Sequence, residues 1–187
     1  MARKKRIWYP GAIYHVISRG NRKGEIFRER NDFIQFLEFL EKVRETYSFN
    51  IHSICLMTNH FHMLIETQDI DLSLIMQRFL SLYAQAYNFK YNYTGHLFES
   101  RYTASIIEDE SYFLEVSRYI HLNPIRANMV NEPQAYDYSS YRLFAPDEYD
   151  TEPDVFLDLL SSMIDIEKAL KMFNLNLDQY RKFVEGA

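Results

Sequence analysis

FNIHSICLMTNHFHMLIE, residues 49–66, decides the fold. Two β-rich runs, 49–57 and 60–66, are separated by Thr58 and Asn59 alone, a two-residue connection that predicts an antiparallel hairpin. Side chains alternate faces along a strand, so His60 and His62 project to one side and Phe61 to the other. Phe61 enters the core and thereby fixes which face the histidines occupy.

Upstream, AIYHVIS (12–18) is rich in β-branched and aromatic side chains and ends at Arg19-Gly20-Asn21, which predicts a strand leaving into a turn. Asn31 and Asp32 offer an N-cap for a helix over about residues 32–47, with Phe33, Phe36, Leu37, Leu40 and Val43 at helical spacing. Downstream, Leu74, Ile75, Phe79, Leu82 and Ala86 form one stripe of a second helix from Leu72 to about Tyr91, closed by Gly95. Residues 97–107 return to strand character, and Asp109 starts a third helix carrying Phe113, Leu114, Val116 and Ile120. Asn123-Pro124 is expected to interrupt that helix, because proline disfavours helical geometry in the residue before it. Pro124 can then begin a short new helix.

The order strand, helix, strand, strand, helix, strand is that of the ferredoxin-like unit. The expected class is therefore α+β, an antiparallel sheet with helices packed on one face. Residues 1–145 form the expected main domain. Residues 146–187 read as an acidic helical C-terminal extension, with Leu157, Leu160, Met163, Ile164 and Leu170 as its apolar contacts.

At 187 residues and 47% hydrophobic, the chain has material for one well-buried core. Its single cysteine, Cys55, excludes a disulfide framework and suits a reducing cytoplasm. The basic start ARKKR runs into Trp8, Tyr9 and Pro10 rather than an apolar segment, so neither export nor a membrane span is expected. A net charge of −5 argues against generic polyanion binding, but the charge is unevenly placed. Residues 1–30 hold nine Lys and Arg against Glu25 and Glu29, whereas residues 146–187 hold ten Asp and Glu against four Lys and Arg.

His60-Phe61-His62 has the geometry of a two-pronged metal clamp. Zinc normally takes more nitrogen or sulfur ligands, so a hard ion completed by water and a phosphate oxygen, Mg²⁺ or Mn²⁺, fits better. A structural or regulatory zinc module is the competing use of the same pair. Tyr119 lies on the third helix, and Asn123 follows four residues later. A phenol with a pKa near 10 is a weak nucleophile and needs a metal-polarised phosphate to attack. Asn123 before Pro124 is equally well explained as an N-cap.

YHVISRGNRKGEIF (14–27), MTNHFHMLIE (57–66), GHLFESRY (95–102), RYIHLNPIRANMV (118–130) and YSSYR (138–142) together resemble the blocks of the single-tyrosine HUH transposases. The branch most similar is that of the REP-associated tyrosine transposases, and the likeness spans roughly residues 8–145 in order. The resemblance implies that His60 and His62 are the HUH pair, that Tyr119 is the nucleophile and that Asn123 is a third metal ligand. It implies a ferredoxin-like fold and a DNA strand transferase acting through a 5′-phosphotyrosine link on single strands that carry hairpins. Arg3, Lys4, Lys5, Arg6, Arg19, Arg22, Lys23 and Arg101 are the expected DNA-binding cations. Some relatives build their sites across a homodimer and others act alone. Thr58 departs from the proline that many relatives carry before NHFH, a change that concerns the turn and not the histidines. The alternative within the same fold is a domesticated nucleic-acid-binding protein that no longer cuts.

Overall fold

The computed structural model describes residues 7–146 and 153–186. Along the chain run β1 (Ile13–Arg19), α1 (Arg30–Arg44), β2 (Phe49–Met57), β3 (His60–Thr67), α2 (Leu72–Tyr91), β4 (Thr103–Ile106) and α3 (Glu110–Arg126). Three shorter helices follow: α4 (Val155–Met163), α5 (Glu167–Lys171) and α6 (Leu177–Glu185). The sheet has the order β2-β3-β1-β4, every neighbour antiparallel, which is the ferredoxin-like arrangement expected. Thr58-Asn59 makes the hairpin, with Met57 opposite His60.

α1 and α2 pack on one face of this sheet, as expected, and α3 covers the other as well. Phe61 packs against Phe36 of α1 and Phe79 of α2, with ring centroids 5.0 and 6.5 Å away. Its neighbour His62, which must point to the other side, meets Tyr119 of α3. Two apolar clusters result, one holding Tyr14, Phe36, Phe61 and Phe79, the other Cys55, Leu64, Phe113, Val116 and Ile120. The physical reason is visible in β2, where all residues from Ile51 to Met57 are buried. A strand covered on one side alternates apolar and polar, and this one does not.

Local chemistry shifts several boundaries. Asp32 is not the cap of α1 but its third residue, closing a capping box with Glu29. The same carboxylate pairs with Lys90 and accepts from the Tyr91 hydroxyl, tying α1 to α2. α2 ends at Asn92, whose φ of 47° is left-handed, three residues before Gly95.

α3 runs through Pro124 to Arg126 rather than breaking there. Proline lacks the N–H that would bond the carbonyl of Ile120. The Asn123 side chain takes its place, with Nδ2 donating to the Tyr119 carbonyl at 2.9 Å and to that of Ile120 at 3.5 Å. Asn123 is thus interior to the helix, and the N-cap reading falls.

The described residues of the extension pack into the two clusters of the sheet. Phe156, Leu160 and Met163 of α4 join the first cluster, while Ala169, Leu170, Tyr180 and Val184 join the second. A chain of buried hydroxyls holds it: Ser53 to Ser117 at 2.6 Å, Ser117 to Tyr180 at 2.7 Å, and Tyr180 to His121 Nδ1 at 3.1 Å. His121 Nε2 then meets Ser140 Oγ at 3.0 Å, and Ser140 accepts from the Ile54 amide at 2.9 Å. Among the described residues no helix is long and apolar enough to cross a membrane.

Candidate active site

The site begins at the hairpin turn. Asn59 accepts from Gly20 N through its carbonyl and donates from Nδ2 to the Lys23 carbonyl, so the turn is tied to the loop after β1. A Cβ on Gly20 would collide with the Gly24 carbonyl, which makes glycine obligatory at this crossing. Asn59 Oδ1 in turn accepts from His60 Nδ1 at 2.7 Å, which leaves His60 Nε2 as the nitrogen with a free lone pair.

His62 stands on the same face, its ring centroid 5.1 Å from that of His60. Its Nδ1 lies 3.1 Å from Nε2 of His15, the nearest imidazole on β1. With His62 Nδ1 as donor, its Nε2 also keeps a lone pair. Burial lowers the His60 imidazole to about 4, the Arg19 charge adding to the effect. Burial lowers His62 to about 3, with His15, His60 and Arg19 adding to it, and lowers His15 to about 4. All three rings are therefore neutral near pH 7, the form that ligates a cation. Two such nitrogens, each with its other ring nitrogen held by a neighbour, suit a divalent ion.

Among the described residues no group of three or more His, Cys, Asp and Glu is arranged to hold a metal. The histidine pair would need donors of another kind, such as an amide oxygen, water or phosphate. The zinc-module reading needs further nitrogen or sulfur ligands, and the nearest candidate, His15, turns its Nε2 to His62 Nδ1 at 3.1 Å.

α3 brings Tyr119 to this place. Val116 and Ile120 are buried while Tyr119, between them, is 37% exposed. Its ring stands nearly perpendicular to that of His62 at 5.5 Å and to that of His15 at 5.9 Å. The Arg126 guanidinium lies over the phenol ring, 4.7 Å from its centroid. Tyr119, Arg126 and His15 open on a cavity of about 400 Å³, lined also by Tyr112, Glu115, Val116 and Arg118, beside the histidine pair and not lined by it. Asn123 sits one turn along α3, buried, with its nitrogen spent on helix carbonyls; its Oδ1 takes no part in those two bonds.

The expected cations divide. Arg19 lies across the β1–β3 ladder from His60. Arg22 and Lys23 are exposed on the loop that Asn59 clamps, with φ of 54° and 59°. Backbone bonds from Asn21 to Leu97 and from Glu99 to Arg19 bring the segment bearing Arg101 to the same edge. Arg3, Lys4, Lys5 and Arg6 lie outside the described residues. Two residues of the site, His15 and Arg126, were given no role from the sequence. Alternation in β1 puts His15 on the face opposite Tyr14 and Val16, so a signal existed for the first.

A family profile described as "Transposase IS200 like" matches residues 9–123. Among solved structures, a REP-associated tyrosine transposase bound to a REP hairpin superposes with a TM-score of 0.68 at 16% identity, covering 83% of this chain and 93% of that one. A transposase candidate from Deinococcus radiodurans gives 0.44 at 13% identity, covering 68% and 98%. tRNA(His) guanylyltransferase from Saccharomyces cerevisiae gives 0.39 at 11%, covering 82% and 86%. The first of these shows the fold, and the other two are too loose to use. Comparison with curated protein sequences finds no match. The profile runs from before His15 through the histidine hairpin to Tyr119 and Asn123, and the chain belongs to the IS200-like transposase family.

Proposed function

We propose that this transposase cuts and rejoins hairpin-bearing single-stranded DNA through a 5′-phosphotyrosine link on Tyr119, beside a divalent ion held by His60 and His62. The observation that carries the reading is the 5.5 Å between the Tyr119 and His62 rings within one chain. A phenol placed there can reach a phosphate gripped next to the histidine pair, and no second copy is needed to bring it. A homodimer is compatible with this but not required.

In the cleavage step the Tyr119 oxygen attacks phosphorus and loses its proton to solvent. The P–O3′ bond breaks, and the departing oxygen takes a proton to become a 3′-hydroxyl. One phosphoester replaces another, so a later hydroxyl can reverse the exchange without ATP. Bound at the site, Mg²⁺ or Mn²⁺ supplies charge neutralisation at the scissile phosphate. His60 and His62 offer Nε2 to it, and Asn123 Oδ1 is the proposed third protein donor. Arg19, Arg22, Lys23 and Arg101 hold DNA phosphates along one edge, and Arg3, Lys4, Lys5 and Arg6 add charge for the same DNA. The hairpin substrate rests on the structural neighbour, which is bound to a REP hairpin. Residues 1–145 serve as the catalytic unit, and the buried Cys55 fits a cytoplasmic setting.

Incubation with a panel of single-stranded hairpins and Mn²⁺, followed by a denaturing gel, tests the reading. The wild-type chain yields a covalent protein–DNA adduct, and Tyr119→Phe binds DNA without forming one. An adduct that survives in Tyr119→Phe rejects the nucleophile.

A further inference from the structure

Arg126 closes α3, seven residues after Tyr119, so two turns of helix return it to the same face. It lies over the ring of the proposed nucleophile and lines the cavity into which that ring opens. Arg118, the other cation of this cavity, is engaged elsewhere: it donates to the Val184 carbonyl, stands 3.9 Å from Glu115 and covers the Phe183 ring. Among the described residues the arginine ion pairs involve Arg30, Arg44, Arg118, Arg142 and Arg181, and none involves Arg126. An arginine without a carboxylate, held against the reacting side chain, has donors left for an incoming anion.

We infer that Arg126 binds the phosphate that Tyr119 attacks, donating N–H groups to its non-bridging oxygens. The inference rests on Tyr119 as nucleophile. A planar guanidinium presents parallel donors that match two phosphate oxygens, and it keeps its charge at every working pH. Placed over the phenol, it faces negative charge both on the substrate diester and on the phosphotyrosyl diester that follows. A residue that merely covered the ring with its aliphatic stem would owe nothing to the charge of the phosphate.

That difference supplies the test. Adduct formation is measured for wild type, Arg126→Ala and Arg126→Lys on two hairpin substrates. One carries the ordinary scissile phosphate and the other a neutral methylphosphonate at that position. On the ordinary substrate Arg126→Ala is slower by a factor on the order of 10², as for loss of a charge-stabilising donor, and Arg126→Lys falls between. On the methylphosphonate the ratio of wild type to Arg126→Ala collapses toward one. Denaturant unfolding of both variants matches wild type, since the residue is exposed. An equal loss on both substrates, or no loss on the ordinary one, overturns the inference while leaving Tyr119 in place. A wild-type chain that forms no adduct removes the nucleophile and this inference together.

Discussion

Replacing Asn123 by alanine removes the donor that repairs α3 around Pro124, and its cost can be worked from the two bonds it makes. Nδ2 reaches the Tyr119 carbonyl at 2.9 Å and the Ile120 carbonyl at 3.5 Å. A net hydrogen bond contributes about 1 kcal/mol, and a buried carbonyl left unpaired costs about 1–3 kcal/mol. Alanine returns at most about 0.7 kcal/mol of helix propensity. The balance is a loss of about 1.5–3 kcal/mol, or a shift in urea midpoint on the order of 1 M. In a Pro124→Ala background the amide of residue 124 can bond the Ile120 carbonyl itself, so Asn123→Ala should cost only about 0.5 kcal/mol there. The coupling of about 1–2.5 kcal/mol exceeds the ~0.3–0.5 kcal/mol scatter of independent sites. Urea unfolding of the four proteins in EDTA measures it. Equal costs in the two backgrounds would refute the repair. Repeating the cycle with Mn²⁺ isolates ligation by Oδ1, which adds a loss seen only when metal is present.

Asn59→Ala releases His60 Nδ1 and should weaken Mn²⁺ binding about 10–100-fold, as loss of such outer partners does; electron paramagnetic resonance of free Mn²⁺ reports it, and unchanged affinity argues against His60 as a ligand. The buried His121 imidazole is lowered to about 3 by burial, against 6.5 in the unfolded chain. Below pH 6.5 the unfolded chain takes a proton that the folded chain refuses, so stability is full above that pH and falls by up to about 1.4 kcal/mol per unit as pH drops toward 3. Urea midpoints against pH should flatten across that window in His121→Gln, after allowance for His15, His60 and His62, which shift in the same direction; an unaltered slope shows that His121 is not the group responsible.

The hairpin was legible because its signal is local: a two-residue turn and strict alternation around Phe61. The sheet order followed from the sequence of elements. The second covered face was written in β2, whose unbroken burial contradicts a strand with one wet side. In α2, Ile75 and Phe79 are buried as expected, but Leu74, Leu82 and Ala86 each lie one position off the buried face. Leu74 is 47% exposed, while Tyr83 and Tyr87 are buried because their hydroxyls find the carbonyls of Ile26 and Glu25. An aromatic body with a satisfied polar tip belongs to the core, and periodicity of aliphatic residues alone misses it. His15 could be placed on a face, but its approach to His62 depends on a ladder between strands some forty residues apart. Arg126 was hidden by Pro124, since a helix thought to end at residue 123 cannot return an arginine to the face of Tyr119. The asparagine that carries the helix across the proline is what brings that cation back.

A C-terminal segment remote from the histidines helps to position the proposed nucleophile. Ser117 and His121 flank Tyr119 by two residues on either side, and both are anchored to the Tyr180 hydroxyl of α6. Ser117 also holds Ser53 of β2, and His121 holds Ser140, which takes the Ile54 amide of the same strand. These buried bonds fix the roll of α3 about its own axis, because a rotation that freed one hydroxyl would leave several polar groups unpaired in an apolar surround, at about 1–3 kcal/mol each. With the roll fixed, the residue between the anchors is held toward the cavity and the histidine pair. At the far end of β3, Glu66 receives His52 and Lys168 of α5, which ties the extension to the strand bearing the histidines. The extension therefore fastens both the helix that carries the phenol and the strand that carries the imidazoles, through Tyr180 on the one and Lys168 on the other, at points away from Tyr119 and the histidine pair.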